Sequence, residues 1–241
     1  AFDIKFLDEN NELQYAWTTS WGVSTRMVGA VVMVHGDDQG LILPPKLAPI
    51  QVVVVPIWKS DEERAMVLEA ASRVEALLRD SARVRVDSRE GLSPGWKFND
   101  WEMRGVPLRI EVGPRDVQHE QVTLARRHVP GRQGKSTVPM AGLAGVVQET
   151  LATIQADLYR RALDFREAHT YDPKDYAEFR QAVDKGFAYS WWCGDPACEA
   201  RIKEDTKATV RCIPLEQEPG KGRCIYCGKD ATERAIFGQA Y

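Results

Sequence analysis

The sequence predicts an α/β protein with a mixed sheet and a small cysteine-bearing module at its C-terminal end. The continuous β-branched run QVVVVPI at 51–57 is typical of a strand buried on both faces. Predicted strands and amphipathic helices alternate after that run, which favours helices layered on a sheet. All five cysteines of the 241-residue chain lie in its last fifth, where the composition of the sequence changes.

Composition and charge exclude several classes of protein. Hydrophobic residues at 44% and charged residues at 28% are ordinary for a globular protein. No apolar run approaches the roughly 20 residues of a membrane helix, and the start lacks the pattern of a signal peptide, so we expect a cytoplasmic protein without a membrane partner. The net charge of −3 means that any attraction to nucleic acid must be local. The absence of an initiator methionine indicates a fragment or a processed chain.

The first segment, up to about residue 50, predicts two strands and a short helix. Apolar residues alternate in FDIKF and in LQYAW, on either side of the turn-forming pair Asn10–Asn11. After Arg26, the apolar spacing in RMVGAVVMV fits one face of a helix, which HGDDQG ends. The proline-rich LPPKLAPI then indicates a domain boundary.

Small residues alternate just before that helix. Period two places Ser20, Gly22 and Ser24 on one face of a predicted strand, where they leave room for a flat or bulky group. Arg26 projects from the same face and can stack on a ring or neutralise a phosphate. A tightly packed strand crossing, with the arginine in a surface salt bridge, explains the pattern equally well.

The second segment predicts alternating helices and strands. Ser60 precedes three acidic residues and predicts a helix N-cap. Strands are predicted at 83–88, 107–114 and 121–129. The predicted buried stripes are Met66, Ala70, Val74, Leu77 and Leu78 on the first helix and Leu143, Val147, Leu151, Ile154 and Leu158 on a later, longer one. Further on, YDPKDYAEFRQAVDKG predicts a helix and FAYSWWCG an aromatic strand.

Two short cysteine pairs predict a zinc site. Four residues separate Cys193 from Cys198, and two separate Cys224 from Cys227. Tetrahedral zinc takes four thiolates from two such loops, and a site with four cysteines and no open position is structural. The alternative is a set of buried or free thiols.

Three neighbouring residues complete this interpretation. Gly194 and Gly228 each follow a cysteine and allow the backbone to fold around a metal. Cys212 lies in TVRCIPL, a predicted strand, and we interpret it as a small core residue rather than a ligand.

The stretch 101–135 is locally basic. It holds seven Arg/Lys and four Asp/Glu, a local charge of +3 (7 − 4). Such a patch suits phosphate groups. Trp96 and Phe98 lie just before this stretch and Trp101 at its first position, and all three are available to stack on unpaired bases. Packing in the core or a loop explains any single one of them.

Three stretches resemble one family. SWGVSTRMVGAVVMVHGDDQG is similar to motif 3 of class II aminoacyl-tRNA synthetases, in the version of the prolyl-tRNA synthetase family. WEMRGVPLRIEVGPRDV resembles the anticodon-binding stretch of that family. CIYCGKDATERAIFGQAY resembles the zinc-binding C-terminal domain of its archaeal and eukaryotic-type branch, which ends in a tyrosine. The resemblance implies that the carboxylate of Tyr241 turns back toward the catalytic domain, and a frayed terminus is the alternative.

The resemblance implies an organisation and an activity. Residues 1–48 would end an antiparallel class II catalytic domain, 49–169 would form a mixed-sheet α/β anticodon-binding domain, and 170–241 a small α+β zinc domain. The implied reaction joins L-proline to tRNA(Pro) with ATP and Mg²⁺, in a homodimer of the full-length enzyme. Motifs 1 and 2 are not found in the chain, so we expect that it does not activate proline by itself.

The resemblance also implies roles for the small-residue stretch. Arg26 would be the catalytic arginine of motif 3 that holds ATP, and Ser24 would lie beside it in the ATP site. Ser20 and Gly22 would form the floor of the prolyl-adenylate pocket. The small side chains would then make room for the adenylate, whose phosphates the arginine holds.

Anticodon recognition is predicted at the end of the strand in IEVGPRD. Proline anticodons end in two guanines; a carboxylate accepts from guanine N1–H and N2–H, and an arginine donates to O6 and N7. We expect Glu111, Arg115 and Asp116 to bind these bases. The predicted phosphate contacts are Arg126, Arg127 and Lys135. A salt-bridged loop is the alternative.

Two other functions remain open. A non-catalytic fragment or paralogue that only captures tRNA would also lack motif 2. A related synthetase for histidine, threonine or glycine would share the anticodon domain. The cysteine module and the residues of the motif 3 stretch argue against that alternative.

Overall fold

The computed structural model describes residues 3–217 and 219–239. Phe2, placed in the first predicted strand, and the C-terminal Tyr241 lie outside the described residues. Within the described ranges, no helix combines the length and apolar character needed to cross a lipid bilayer.

The chain divides into two units, Ala1–Gln148 and Glu149–Tyr241, which are described separately. The strands of the first unit are β1 (Lys5–Leu7), β2 (Leu13–Tyr15), β3 (Val52–Pro56), β4 (Val84–Val86), β5 (Leu108–Val112), β6 (Gln121–Arg126) and β7 (Lys135–Pro139). Its helices are α1 (Arg26–His35), α2 (Asp61–Leu78), α3 (Pro94–Met103) and α4 (Pro114–Gln118), with a 3₁₀ turn at Gly131–Gly134. The boundary between the units falls within the long helix α5 (Leu143–Ala168).

The N-terminal segment confirms two predicted strands and the helix, and corrects one strand. β1 and β2 pair antiparallel, and α1 begins at Arg26 as predicted. Residues 16–24 form no strand, so Ser20, Gly22 and Ser24 do not share the face of a strand. Ala16 N still donates to Ile4 O at 3.0 Å at the start of this stretch, and α1 has no fully buried residue.

A five-stranded sheet forms the centre of the first unit, in the order β4-β3-β5-β6-β7. β3 is parallel to β4 and β5, whereas β5, β6 and β7 are successively antiparallel, which confirms the mixed sheet. All five residues of β3 are buried, as its β-branched run predicts. Neither α3 nor β7 was predicted, because GWKFNDWEM and KSTVP lack clear apolar periodicity.

The helices confirm the caps and most of the stripes. The Ser60 hydroxyl accepts from Glu63 N at 3.3 Å and caps α2. On α2 the buried face is rotated slightly from the predicted one, because Leu77 is 51% exposed. The residues buried on α2 are Val67, Ala70, Ala71, Val74 and Leu78. All five residues of the stripe predicted on α5 are buried.

The second unit is built on a four-stranded sheet. Its further elements are β8 (Thr170–Tyr171), α6 (Tyr176–Lys185), β9 (Phe187–Trp192), α7 (Pro196–Thr206), β10 (Ala208–Cys212), β11 (Gly222–Arg223), β12 (Asp230–Ala231) and β13 (Glu233–Gln239). The sheet order is β10-β13-β9-β8, and β11 and β12 form a separate hairpin. The core packs Phe179 and Val183 of α6 and Ile202 of α7 on Phe237 of the sheet. This arrangement confirms the predicted helix before an aromatic strand.

Candidate functional site

A basic cleft of about 470 Å³ opens in the first unit. The carboxylate-bearing Glu102 and several apolar residues also contribute to its wall. The cationic residues that line the cleft are Arg109, Arg126, Arg127, Arg132 and Lys135. Sequence reasoning therefore placed the basic patch correctly, and all three predicted phosphate-contacting residues line one cleft.

Four charged side chains form a connected network at this cleft, hereafter the charged network: Glu102, Arg109, Glu111 and Lys135. Glu111 on β5 is buried, and its Oε1 accepts from Arg109 Nη2 at 3.0 Å and from Lys135 Nζ at 2.7 Å. Arg109 Nη1 donates to Glu102 Oε1 at 2.6 Å. Two carboxylates and two cations thus balance one another, which makes their partial burial tolerable.

The aromatic ring of Phe98 supports the network. The Arg109 guanidinium carbon lies 4.0 Å from the ring centre, and Lys135 Nζ lies 5.6 Å from it. Both distances are within the range of cation–π attraction. Phe98 is half-buried and packs against the core beside Val53 and Val106, so it contacts the network from behind rather than lining the cleft.

The other two aromatic residues have different environments. Trp101 is buried, and its Nε1 donates to the buried carboxylate of Asp87 at 2.8 Å. It belongs to the core of the unit, the alternative that the sequence left open. Trp96 is half exposed, with the Arg89 guanidinium 5.2 Å from its ring centre.

The three predicted base-reading residues do not share one environment. Glu111 belongs to the charged network. Asp116 Oδ2 accepts from Gly113 N at 2.9 Å and thereby closes the first turn of α4. Arg115 is exposed on α4. Their direct roles in base recognition stay predictions.

Arg127 has a different environment from the other two predicted phosphate contacts. Its side chain is only 5% exposed and is held by a bidentate ion pair with Asp37. This environment favours a role in the wall of the cleft rather than a phosphate contact. Arg126 is half-buried, with Nη2 donating to Gln133 O at 3.1 Å, and Lys135 is 39% exposed.

The residues predicted to hold ATP are all exposed. Ser20, Gly22, Ser24 and Arg26 lie in or next to the irregular stretch 16–24. A Cβ on Gly22 would meet no atom within 4 Å. Their roles stay predictions.

The four paired cysteines meet in the second unit. Their Sγ atoms all lie within 4.8 Å of one another, with Cys193 to Cys198 at 3.6 Å and Cys193 to Cys227 at 3.8 Å. Sulfurs bound to one zinc at about 2.3 Å lie about 3.8 Å apart in a tetrahedron. The donor set and its geometry therefore fit zinc.

Two turns position these sulfurs. Cys193 follows β9, and Cys224 follows β11 in the hairpin with β12. Gly194 and Gly228 take left-handed φ values of 75° and 70°, as their predicted role in the turns requires. Cys212 is exposed at the end of β10 and lies outside the cluster, so its prediction as a core residue is wrong.

Burial and backbone donors act in opposite directions on the thiols. Burial raises the pKa of Cys193 and of Cys198. At Cys224 burial also opposes ionisation, but N–H groups of the backbone at Cys227, Tyr226 and Cys193 lower its pKa to about 7. Backbone donors aimed at sulfur stabilise the thiolate that metal binding requires.

Two family models match the chain. The anticodon binding domain matches residues 51–150, which include the charged network and the residues that line the cleft except Gln39. The C-terminal domain of prolyl-tRNA synthetase matches residues 176–241, which include the four-cysteine cluster.

Curated relatives match along the entire chain. A proline–tRNA ligase of Chloroflexus aurantiacus is 56% identical over 241 residues, with 100% of this chain and 50% of the relative covered. The chloroplastic/mitochondrial proline–tRNA ligase of Arabidopsis thaliana is 50% identical over all of this chain and 45% of its own length. That of Cytophaga hutchinsonii is 44% identical, again over all of this chain and 49% of its own length. The chain thus spans about half the length of these relatives, and its predicted resemblance to the prolyl-tRNA synthetase family is confirmed.

Proposed function

We propose that the chain is part of a proline–tRNA ligase and that its basic cleft binds the anticodon loop of tRNA(Pro). The observation that carries this proposal is the charged network beside Phe98. Its carboxylates can accept from guanine N1–H and N2–H, and its guanidinium can donate to O6 or N7. Phe98 supports the network from behind, and the surrounding cations offer phosphate contacts.

The order of the parts supports the rest of the proposal. Residues 1–48 would belong to the catalytic domain, 49–169 to the anticodon-binding domain and 170–241 to the zinc domain. Arg26 and Ser24 would contact ATP, which brings its Mg²⁺, and Ser20 and Gly22 would contact the prolyl-adenylate. The resemblance in the motif 3 stretch supports these assignments. The homodimer is what the family resemblance implies, and the cytoplasmic location is an expectation from the sequence.

The four-cysteine cluster would hold a structural zinc ion. All four positions of a tetrahedral ion are filled by protein sulfur, which leaves no position for substrate or water. The hairpin that carries Cys224 has only two residues in each strand, so a metal would provide cohesion that its small core lacks.

RNA binding by the 241-residue chain tests the anticodon assignment. The probes are hairpin RNAs whose loops present either two adjacent guanines or two adenines, followed by fluorescence anisotropy. Arg109→Gln should weaken binding of the guanine hairpin by about tenfold, because one bidentate donor contributes roughly 1–3 kcal/mol. The control Arg73→Gln removes the same charge from an exposed position on α2.

The outcome separates specific recognition from charge attraction. Equal losses in the two variants would show that only net charge matters. Equal affinities of the unchanged chain for the two hairpins would contradict guanine recognition. They would also contradict specific capture of tRNA(Pro) by a non-catalytic fragment.

A further inference from the structure

One buried arginine ties two distant segments together behind the cleft. Arg127 Nη1 donates to Asp37 Oδ2 at 2.9 Å, and Nη2 donates to Asp37 Oδ1 at 2.5 Å. On its remaining side, Arg127 Nε donates to the backbone oxygen of Glu102 at 3.1 Å. A single guanidinium thus fixes Asp37, which follows helix α1, against the end of α3.

The segment 37–43, hereafter the strap, fits closely against the end of α3. Leu41 N donates to Met103 O at 3.1 Å, and Leu43 N donates to Gly105 O at 3.2 Å. Gly40 and Gly105 both have positive φ, and a Cβ on Gly40 would lie 2.6 Å from Met103 Cα. The strap therefore has no room to shift while this contact is intact.

Glu102 of α3 has its backbone oxygen bonded to Arg127 and its carboxylate in the charged network. The backbone oxygen accepts from Arg127 Nε, whereas the carboxylate accepts from Arg109 Nη1. Because a backbone displacement of Glu102 carries its side chain with it, the position of this carboxylate depends on the Asp37–Arg127 pair.

We propose that Asp37 is a positioning residue for base recognition, acting through Arg127 on Glu102. This inference rests on the proposed binding of guanine in the cleft. Asp37 lies one residue beyond Gly36, the C-cap of α1, so the strap also fixes where the helix that begins at Arg26 ends relative to the cleft. The Asp37–Arg127 ion pair would set the position of the Glu102 carboxylate, without any contact between Asp37 and RNA.

A matched pair of variants separates positioning from charge. Asp37→Asn and Asp38→Asn each remove one negative charge from adjacent positions, and both side chains are exposed enough to accept an amide. The measurement is the ratio of affinities of the 241-residue chain for the guanine and adenine hairpins. Asp37→Asn should lower this ratio by about tenfold, the discrimination of one bidentate base contact, while Asp38→Asn leaves it unchanged.

Thermal unfolding of the same variants distinguishes a purely structural tie. If Asp37→Asn lowers the melting temperature but keeps the affinity ratio of Asp38→Asn, the positioning role is refuted. Asp37→Glu, which retains the carboxylate, should recover most of the ratio, and Arg127→Lys, which keeps the charge without the fork, should lose it. A wild-type chain that binds both hairpins equally would overturn the proposed function itself. If the wild-type chain prefers the guanine hairpin and Asp37→Asn keeps the same affinity ratio, only this inference is overturned.

Discussion

Asp87 provides a sharp test of the packing behind α3. Its buried carboxylate accepts from Trp101 Nε1 at 2.8 Å, from Arg89 Nε at 2.9 Å and from Arg89 Nη2 at 2.7 Å. Asp87→Asn keeps the shape of the side chain but removes its charge. We expect this substitution to destabilise the first unit, because the amide cannot accept from Arg89 and Trp101 on both of its ends.

The expected size follows from the pKa. Burial by itself would raise the pKa of Asp87, but hydrogen bonds from Arg89 and Trp101 lower it to about 2 from an ordinary value of 3.8. This difference corresponds to about 2 kcal/mol of folding free energy. Because the pKa is depressed in the folded state, the stabilisation is fully present above about pH 5 and is lost as the pH falls through about 2.

Urea unfolding at two pH values measures this contribution. Relative to wild type, Asp87→Asn should lose about 2 kcal/mol at pH 7 and about 1 kcal/mol at pH 3, where the unfolded chain already binds the proton. Asp80→Asn, at an exposed position just after α2, is the control for charge. The Trp101 indole proton, followed by NMR, should shift with a midpoint near 2. A midpoint near 4, or an equal loss at both pH values, would refute the reasoning.

The metal and the isolated activity give two further predictions. The purified chain should contain about one zinc ion, measured by atomic emission. Cys224→Ser should lose the metal and lower the stability of the second unit, whereas Cys212→Ser should retain both the metal and the stability. Zinc retention in Cys224→Ser would contradict the four-sulfur site. In an ATP–pyrophosphate exchange assay with proline, the 241-residue chain alone should show only background turnover, and robust exchange would contradict the need for motif 2.

Predictability followed the strength of local signals. β3 and α5 were found because one is apolar throughout and the other places five apolar residues at helical spacing. The buried face of α2 was harder to place, because the adjacent apolar residues Leu77 and Leu78 both fit a helical stripe and only the second is buried. Residues 16–24 failed as a strand because alternation of small residues carries no burial signal.

The candidate site was predictable where chemistry fixes residue type. Four cysteines in two pairs leave few alternatives, so the cluster was found from spacing alone. Glu102 and Arg109 were counted in the basic patch but not selected, because their pairing joins α3 to β5 and appears only in the tertiary structure. Likewise, no local sequence pattern indicates that Arg127 pairs with Asp37, 90 residues away.

Under the proposed function, the balance of the charged network would affect specificity for the base more than affinity for RNA. Arg109 and Glu111 are already paired, so a base that enters must replace ion-pair partners rather than meet free charges. A guanine edge offers donors to the carboxylate and acceptors to the guanidinium, and it can therefore restore both. An adenine presents a donor where guanine has its O6 acceptor, which would leave a buried cation without its partner at a cost of several kcal/mol. Under the proposed function, a neutral network of this kind would discriminate by penalising the wrong base. The overall attraction for RNA would then come from exposed cations outside the network, notably Arg132.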